Sequence, residues 1–334
     1  MKNNTGPVWV IAEQVDCRIS SITFQLLGQA RKLADELETT VEAVLLGDKM
    51  RDQPRQLIAA GADRVYFGNA PGFEVYQSEI YTKVIVELAR QQHPETMLIG
   101  STSVGRELAP LVASRLKTGL TAHCIDLVIN ENGLLDAKIP AYGGLISIIC
   151  PEKRPQMATV AGGVFENPDP DENRTGEITM LAAPDLNSLR VKTLETVTED
   201  PKGVPLESAP IVVACGAGAG DLEGWCEITD LAKALDAALG CTRPAVDEGW
   251  ANLETMIGQS GKMINPELYI GVGLSGELQH MVGIVGAKVM VAVNNDPGSP
   301  VFEQVDYGIV DDCRKFVPLL IEKIKEHLAK RGTC

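Results

Sequence analysis

The chain has 334 residues, 45% of them hydrophobic, 22% charged and only 4% aromatic, with 32 glycines. That length allows two domains with separate cores, and that apolar content excludes a disordered or collagen-like chain. Thirty Lys and Arg against 45 Asp and Glu leave a net charge of −15, whose field repels nucleic acid and anionic membrane surfaces, and the apolar runs stop short of a membrane span.

The first 120 residues alternate strand-like and helix-like segments. Val8–Ala12 is a short continuous apolar run, the pattern of a strand buried on both faces. Helical spacing over 21–38 comes next, with Ile22, Leu26, Ala30, Leu33 and Leu37 on one side. Val41–Leu46, a helix near 52–60 closed by Gly61, Val65–Phe67, a helix over 76–92, Met97–Ile99 and a helix over 106–116 continue the series. Repeated β-α units predict a parallel sheet covered by helices. Between 125 and 160 the pattern changes to strands joined by turns. Ile125–Ile129, the Asn132-Gly133 turn and Leu134–Ile139 read as a hairpin. Residues 166–177 are polar and breaker-rich, a surface excursion. Residues 198–210, with three prolines and three acids, predict a boundary that separates domains 1–199 and 200–334. The β-α alternation then restarts with Ile211–Cys215, a helix over 222–239 ended by Gly240, strands Leu268–Val272 and Val289–Val293, and a closing helix over 314–329.

The eight cysteines stand at 17, 124, 150, 215, 226, 241, 313 and 334, with no C-x-x-C pair. Iron–sulfur and zinc sites need thiolates clustered at short spacing, so no metal site is expected. Scattered thiols and an N-terminus without a basic-then-apolar signal predict a reduced, cytoplasmic setting.

Two glycine-rich turns come directly after strands in the second domain: Gly216-Ala217-Gly218-Ala219-Gly220, and Gly271-Val272-Gly273-Leu274-Ser275-Gly276, which matches G-x-G-x-x-G. Glycines at such places let a pyrophosphate approach backbone N–H groups, although either turn alone reads as a tight turn without a ligand. A dinucleotide fingerprint opens a long helix, and Gly283 and Gly286 interrupt the segment after this turn. A nicotinamide-dependent dehydrogenase is therefore the alternative reading, suggested by that turn with Asp296 twenty residues beyond Gly276. Around the turns lie Thr242-Arg243, Gly258-Gln259-Ser260, Gln279-His280 and Asn294, each where a loop would leave the C-terminal end of a strand. Their hydroxyls, amides, imidazole and guanidinium suit a large polar cofactor.

The ordered run TRPAVDEGW (242–250), IGQSGK (257–262), NPELYIGVGLSGELQHMVG (265–283) and VAVNNDPGSPVFEQVDYGIVDD (291–312) resembles the FAD domain of electron-transfer flavoprotein alpha subunits. Residues 101–127, Tyr142-Gly143-Gly144 and RPQMATV (154–160) resemble the first domain of the same family. The resemblance implies two α/β lobes, each a mostly parallel sheet flanked by helices, the second a Rossmann-like FAD-binding domain. It implies a heterodimer with a beta subunit that is met by the first lobe and holds AMP or a second FAD. It also implies electron carriage from a flavin dehydrogenase, such as an acyl-CoA dehydrogenase, to a downstream redox acceptor. Whether the pair bifurcates electrons stays open.

Carried across by position, Gly216 and Gly218 lie along the FAD phosphates, and Thr242 and Arg243 at the isoalloxazine. Ile257, Gly258, Gln259 and Ser260 run beside the ring. Ser275, Gly276, Glu277, Leu278, Gln279 and His280 bind phosphate, ribityl and the O2 edge, and Asn294, Asp312 and Cys313 hold the adenosine end. Arg243, Ser260 and His280 would tune the flavin. His123, where the family often has an acid, is read as interfacial. Three departures stand out: Ala217 and Ala161 replace arginines common in the family, and Glu277 replaces an uncharged residue. Glu277 would oppose flavin reduction unless it faces solvent or pairs with Lys262 or Lys288.

Overall fold

The computed structural model describes residues 6–141, 144–184, 189–191, 193–196, 205–284 and 286–331. The chain divides into two compact units, residues 1–197 and 198–334. Tyr142, Gly143 and most of the expected linker lie outside the described residues.

Unit 1 runs β1 (Val8–Ala12), a small antiparallel pair β2 (Gln14–Val15) and β3 (Arg18–Ile19), α1 (Ser21–Leu37), β4 (Val41–Gly47), α2 (Gln53–Ala59), β5 (Arg64–Asn69), α3 (Ser78–Gln92), β6 (Thr96–Gly100) and α4 (Ser103–Leu116). It continues through β7 (Leu120–Cys124), β8 (Asp126–Ile129), β9 (Leu135–Ala141), β10 (Gly144–Ile149), β11 (Gln156–Val160) and β12 (Glu177–Met180). Seven strands form a parallel sheet in the order β12-β5-β4-β1-β6-β11-β7. The period-2 alternation of β1 divides its side chains between two cores: Val8, Val10 and Ala12 pack with α1 and α2, and Trp9 and Ile11 with α3 and α4. The expected hairpin is present as β8–β9, extended by β10 into a three-stranded antiparallel sheet, while β11 returns to the parallel sheet.

Unit 2 runs β13 (Ile211–Cys215), α5 (Leu222–Ala234), β14 (Ala238–Cys241), α6 (Arg243–Asp247), β15 (Leu268–Val272), α7 (Leu278–Met281), β16 (Val289–Asn294), β17 (Tyr307–Val310) and α8 (Cys313–Arg331). Its five strands are all parallel, in the order β14-β13-β15-β16-β17. The expected helix over 222–239 is shorter than its apolar pattern. Asp236 adopts a left-handed conformation at φ 51°, the Ala237 N–H closes back on the Ala232 carbonyl, and 238–241 become strand β14. Gly240 therefore sits inside a strand and does not end the helix. Val213 and Cys215 pack under α5 and α8, whereas Val212 and Ala214 face a core closed by the loop residues Ile257, Ile264, Leu274 and Val301. One face of this sheet is thus covered by irregular chain, and that chain builds the site.

Candidate functional site

In unit 2 the chain leaves β13 toward one edge of the sheet, through α5 to β14, and leaves β15 toward the other, through β16 to β17. The C-terminal ends of β13 and β15 therefore flank a topological switch point, the crevice where open parallel sheets take ligands. The two glycine turns meet there. The Gly216 N–H donates to the Val272 carbonyl (2.9 Å) and the Gly218 N–H to the Gly273 carbonyl (2.8 Å). A Cβ at either glycine would strike the backbone of Gly273. Their bareness serves the seating of turn on turn, and their two N–H groups are used within the protein.

Beside this seam lies a cavity of about 530 Å³, within the range of small-molecule sites. Of the residues expected to hold a cofactor, Gly218, Thr242, Arg243, Ile257, Gly258, Gln259, Ser260, Ser275, Gly276, Glu277, Gln279, His280 and Asn294 line it. Gly216, Leu278, Asp312 and Cys313 do not. Gly216 is packed into the seam itself, Leu278 is exposed on α7, and Asp312 caps α8 by accepting from the Arg314 N–H (3.0 Å). Cys313 reaches the first turn from behind, its thiol donating to the Gly218 carbonyl at 3.5 Å, and burial raises the thiol pKa.

The walls are held by main chain. The Gln259 N–H donates to the Gln279 carbonyl (2.7 Å), which ties the Met256–Lys262 loop to α7. Asn294 donates to the Leu274 carbonyl (2.9 Å), and the Ser299 hydroxyl and the Gln304 amide donate to the carbonyls of Ser275 and Gly276. These bonds fix the second turn from three sides. Arg243 opens α6 at the rim, its side chain 65% exposed, and donates to Asp247 at 2.8 Å. Ser260 and Glu277 are exposed at the rim. Neither lysine suggested by the sequence pairs with Glu277: Lys262 binds Glu207 (3.1 Å) and Lys288 binds Glu267 (2.7 Å).

His280 is buried at the cavity wall, with both ring nitrogens engaged by protein: Nε2 lies 2.7 Å from the Tyr269 hydroxyl and Nδ1 lies 3.1 Å from the Ile257 carbonyl. Burial pushes its pKa down to about 4, partly offset by the Ile257 carbonyl, so the ring is neutral at pH 7. Tyr269 escapes sequence reasoning because LYIGV reads as an ordinary buried strand. The one available signal was a phenol in a fully buried position, which needs a partner.

At the corresponding edge of unit 1, the Thr102 hydroxyl donates to Glu13 (2.8 Å) and His123 Nδ1 lies 3.0 Å from the Ser101 hydroxyl. Burial pushes the Glu13 carboxyl up to about 7, countered in part by Thr102. Ala161 is buried beside Cys124, to whose carbonyl its N–H donates.

The residues present fit a large flavin nucleotide. The two glycine turns, seated on each other, adjoin an apolar wall of Met256, Ile257 and Leu274, with hydroxyls, amides and one guanidinium at the rim. The G-x-G-x-x-G turn opens only the four-residue α7, which disfavours the nicotinamide reading. Among the described residues, no cluster of His, Cys, Asp and Glu is arranged to hold a metal ion, and no helix is long and apolar enough to cross a membrane.

The electron transfer flavoprotein domain model matches residues 8–186, and the electron transfer flavoprotein FAD-binding domain model matches residues 205–285. The chain is 43% identical to the electron transfer flavoprotein subunit alpha of Thermoanaerobacterium thermosaccharolyticum, over 97% of this chain and 99% of that one. It is 39% identical to the protein of the same name from Megasphaera elsdenii, over 96% of each chain. It is also 33% identical to the acryloyl-CoA reductase electron transfer subunit beta of Anaerotignum propionicum, over 97% of each. The chain belongs to the electron transfer flavoprotein alpha subunit family.

Proposed function

We propose that this chain binds FAD in the unit 2 cavity and, paired with a beta subunit, carries electrons from a flavin dehydrogenase to another redox protein in a reduced cytoplasmic setting. The observation that supports this reading is the cavity at the β13/β15 switch point, which gathers most of the residues that family position assigns to FAD. Bound there, the flavin supplies reversible electron storage, and the chain supplies placement and charge. The second turn, at Ser275 and Gly276, would lie along the phosphates, with the first turn seated against it as support. The Ile257–Ser260 loop gives a wall for the ring, Arg243 a positive charge at the rim, and His280 a neutral imidazole. The relative named as an acryloyl-CoA reductase electron transfer subunit supports an enzyme of CoA thioesters as one redox partner, there on the electron-accepting side because a reductase takes up electrons.

Unit 1 offers the surface for the beta subunit. β10 is the edge strand of the antiparallel sheet and exposes Leu145 (60%), Ile146 and Ile149. An apolar edge strand of that kind is an aggregation hazard unless another chain covers it. Expressed alone, the chain is expected to aggregate or lose FAD. Co-expressed with a beta subunit, it is expected to yield a soluble yellow complex whose flavin bleaches on reduction and returns on oxidation. A stable, flavin-free complex would remove the carrier reading.

A further inference from the structure

Two bonds on one imidazole, each with a partner of limited chemistry, determine more about His280 than its burial alone. A carbonyl only accepts, so the Ile257 oxygen 3.1 Å from Nδ1 requires the proton on Nδ1. Nε2 of the neutral ring is then a bare acceptor, and the Tyr269 phenol at 2.7 Å must be its donor. We infer that Tyr269 is a positioning residue for the cavity: by donating to Nε2 it holds His280 in one orientation as the neutral Nδ1–H tautomer. The imidazole then presents neither a free N–H nor a charge to whatever the cavity holds.

The surroundings keep it so. Tyr269 is fully buried on the central strand β15, in the core with Ile257, Ile264 and Leu274, so the phenol has no water to turn toward. Burial raises its pKa and lowers that of His280, which makes proton transfer from phenol to imidazole unfavourable. Among the described residues of the elements packed here, no free charge opposes this state. β15 is LYIGV, without a charged side chain. On the Met256–Lys262 loop, Lys262 is engaged by Glu207 and Glu254, and on α7 the neighbouring acid Glu277 is exposed.

The pair therefore acts as a fixed dipole. Negative charge arriving on a ligand beside it meets an oriented ring that does not gain a proton in the neutral range. That consequence for the flavin rests on the proposed function; the state of the imidazole does not.

The test is long-range ¹⁵N–¹H correlation on the ¹⁵N-histidine-labelled heterodimer, with and without FAD. H280Q identifies the His280 signals among the four histidines of the chain. Wild type is expected to show a pyrrole-type Nδ1 and a pyridine-type Nε2 that do not titrate between pH 5.5 and 9. In Tyr269→Phe the donor that favoured the neutral ring is gone, so the midpoint is expected to rise, while burial still holds it below the ordinary histidine value of about 6.5. The flavin potential of that variant is expected to become pH-dependent around the raised midpoint, which a merely structural tyrosine would not cause. A protonated Nε2 in wild type, or an unchanged midpoint in a folded Tyr269→Phe, overturns the inference. The wild-type spectrum decides even if the variant fails to fold. Failure of the proposed function shows separately, as a colourless complex.

Discussion

Gly258→Ala is expected to cost the protein its flavin and to destabilise unit 2 by about 3 kcal/mol, the sum of a strained backbone and a forced contact. Gly258 has φ +135°, a conformation that side-chain-bearing residues rarely adopt, and its N–H donates to the Lys262 carbonyl. A Cβ there would be driven into the Gln279 carbonyl and would stand 3.1 Å from the His280 Cα. The displaced segment is the one that joins the Met256–Lys262 loop to α7, so the cavity wall and the His280 pin shift together. Gly133, at φ +75° with nothing within 4 Å of its Cβ position, provides the control. Gly133→Ala should cost about 1 kcal/mol from backbone strain alone and leave flavin retention unchanged. Denaturant unfolding and the visible spectrum of the three complexes check this. Equal stabilities and equal flavin in the two variants would mean that the loop is not part of the site.

Arg243→Ala should lower the flavin's first reduction potential while leaving FAD bound. A guanidinium against the ring stabilises charge arriving on it. One charge pair at about 4 Å is worth about 4 kcal/mol at an effective dielectric of 20, and a one-electron couple moves about 60 mV per 1.4 kcal/mol. Two features of the structure reduce that ceiling: the side chain is 65% exposed, and Asp247 already accepts from it at 2.8 Å. The expected shift is tens of millivolts, up to ~150 mV. Arg243→Lys should recover part of it, having the charge without the planar fork. Asp247→Asn should shift the potential the other way by freeing the guanidinium. Potentiometric titration of the four proteins decides, and identical potentials would remove Arg243 from the mechanism.

The alternation of apolar runs with helical spacing made both sheets legible, because strands buried on two faces must be apolar throughout, as β1 and β15 are. Strand β14 was not legible. Ala238-Leu239-Gly240-Cys241 continues the apolar spacing of α5, and only the left-handed turn at Asp236 separates them. The cavity was legible as a set of loops because their motif order carries the family, and the fold gathers them at one sheet edge. The roles of particular residues were less so. The expectation that the glycine N–H groups at 216 and 218 face a phosphate came from sequence, whereas in the structure they join two turns. Tyr269 was invisible because a buried phenol and a buried phenylalanine give the same hydropathy pattern.

Whether the unit 2 cavity of this chain holds one FAD is decided by counting flavin in the heterodimer with and without that cavity. Ser260 is exposed on the rim and lines the cavity, so Ser260→Trp fills the space from the surface without disturbing the core. Flavin released from the wild-type and Ser260→Trp heterodimers is identified and quantified against protein. FAD is expected from wild type, and one equivalent less per heterodimer from the variant, whether or not the beta subunit holds a second flavin. The same FAD content in both complexes would place the flavin elsewhere and contradict its assignment to this cavity.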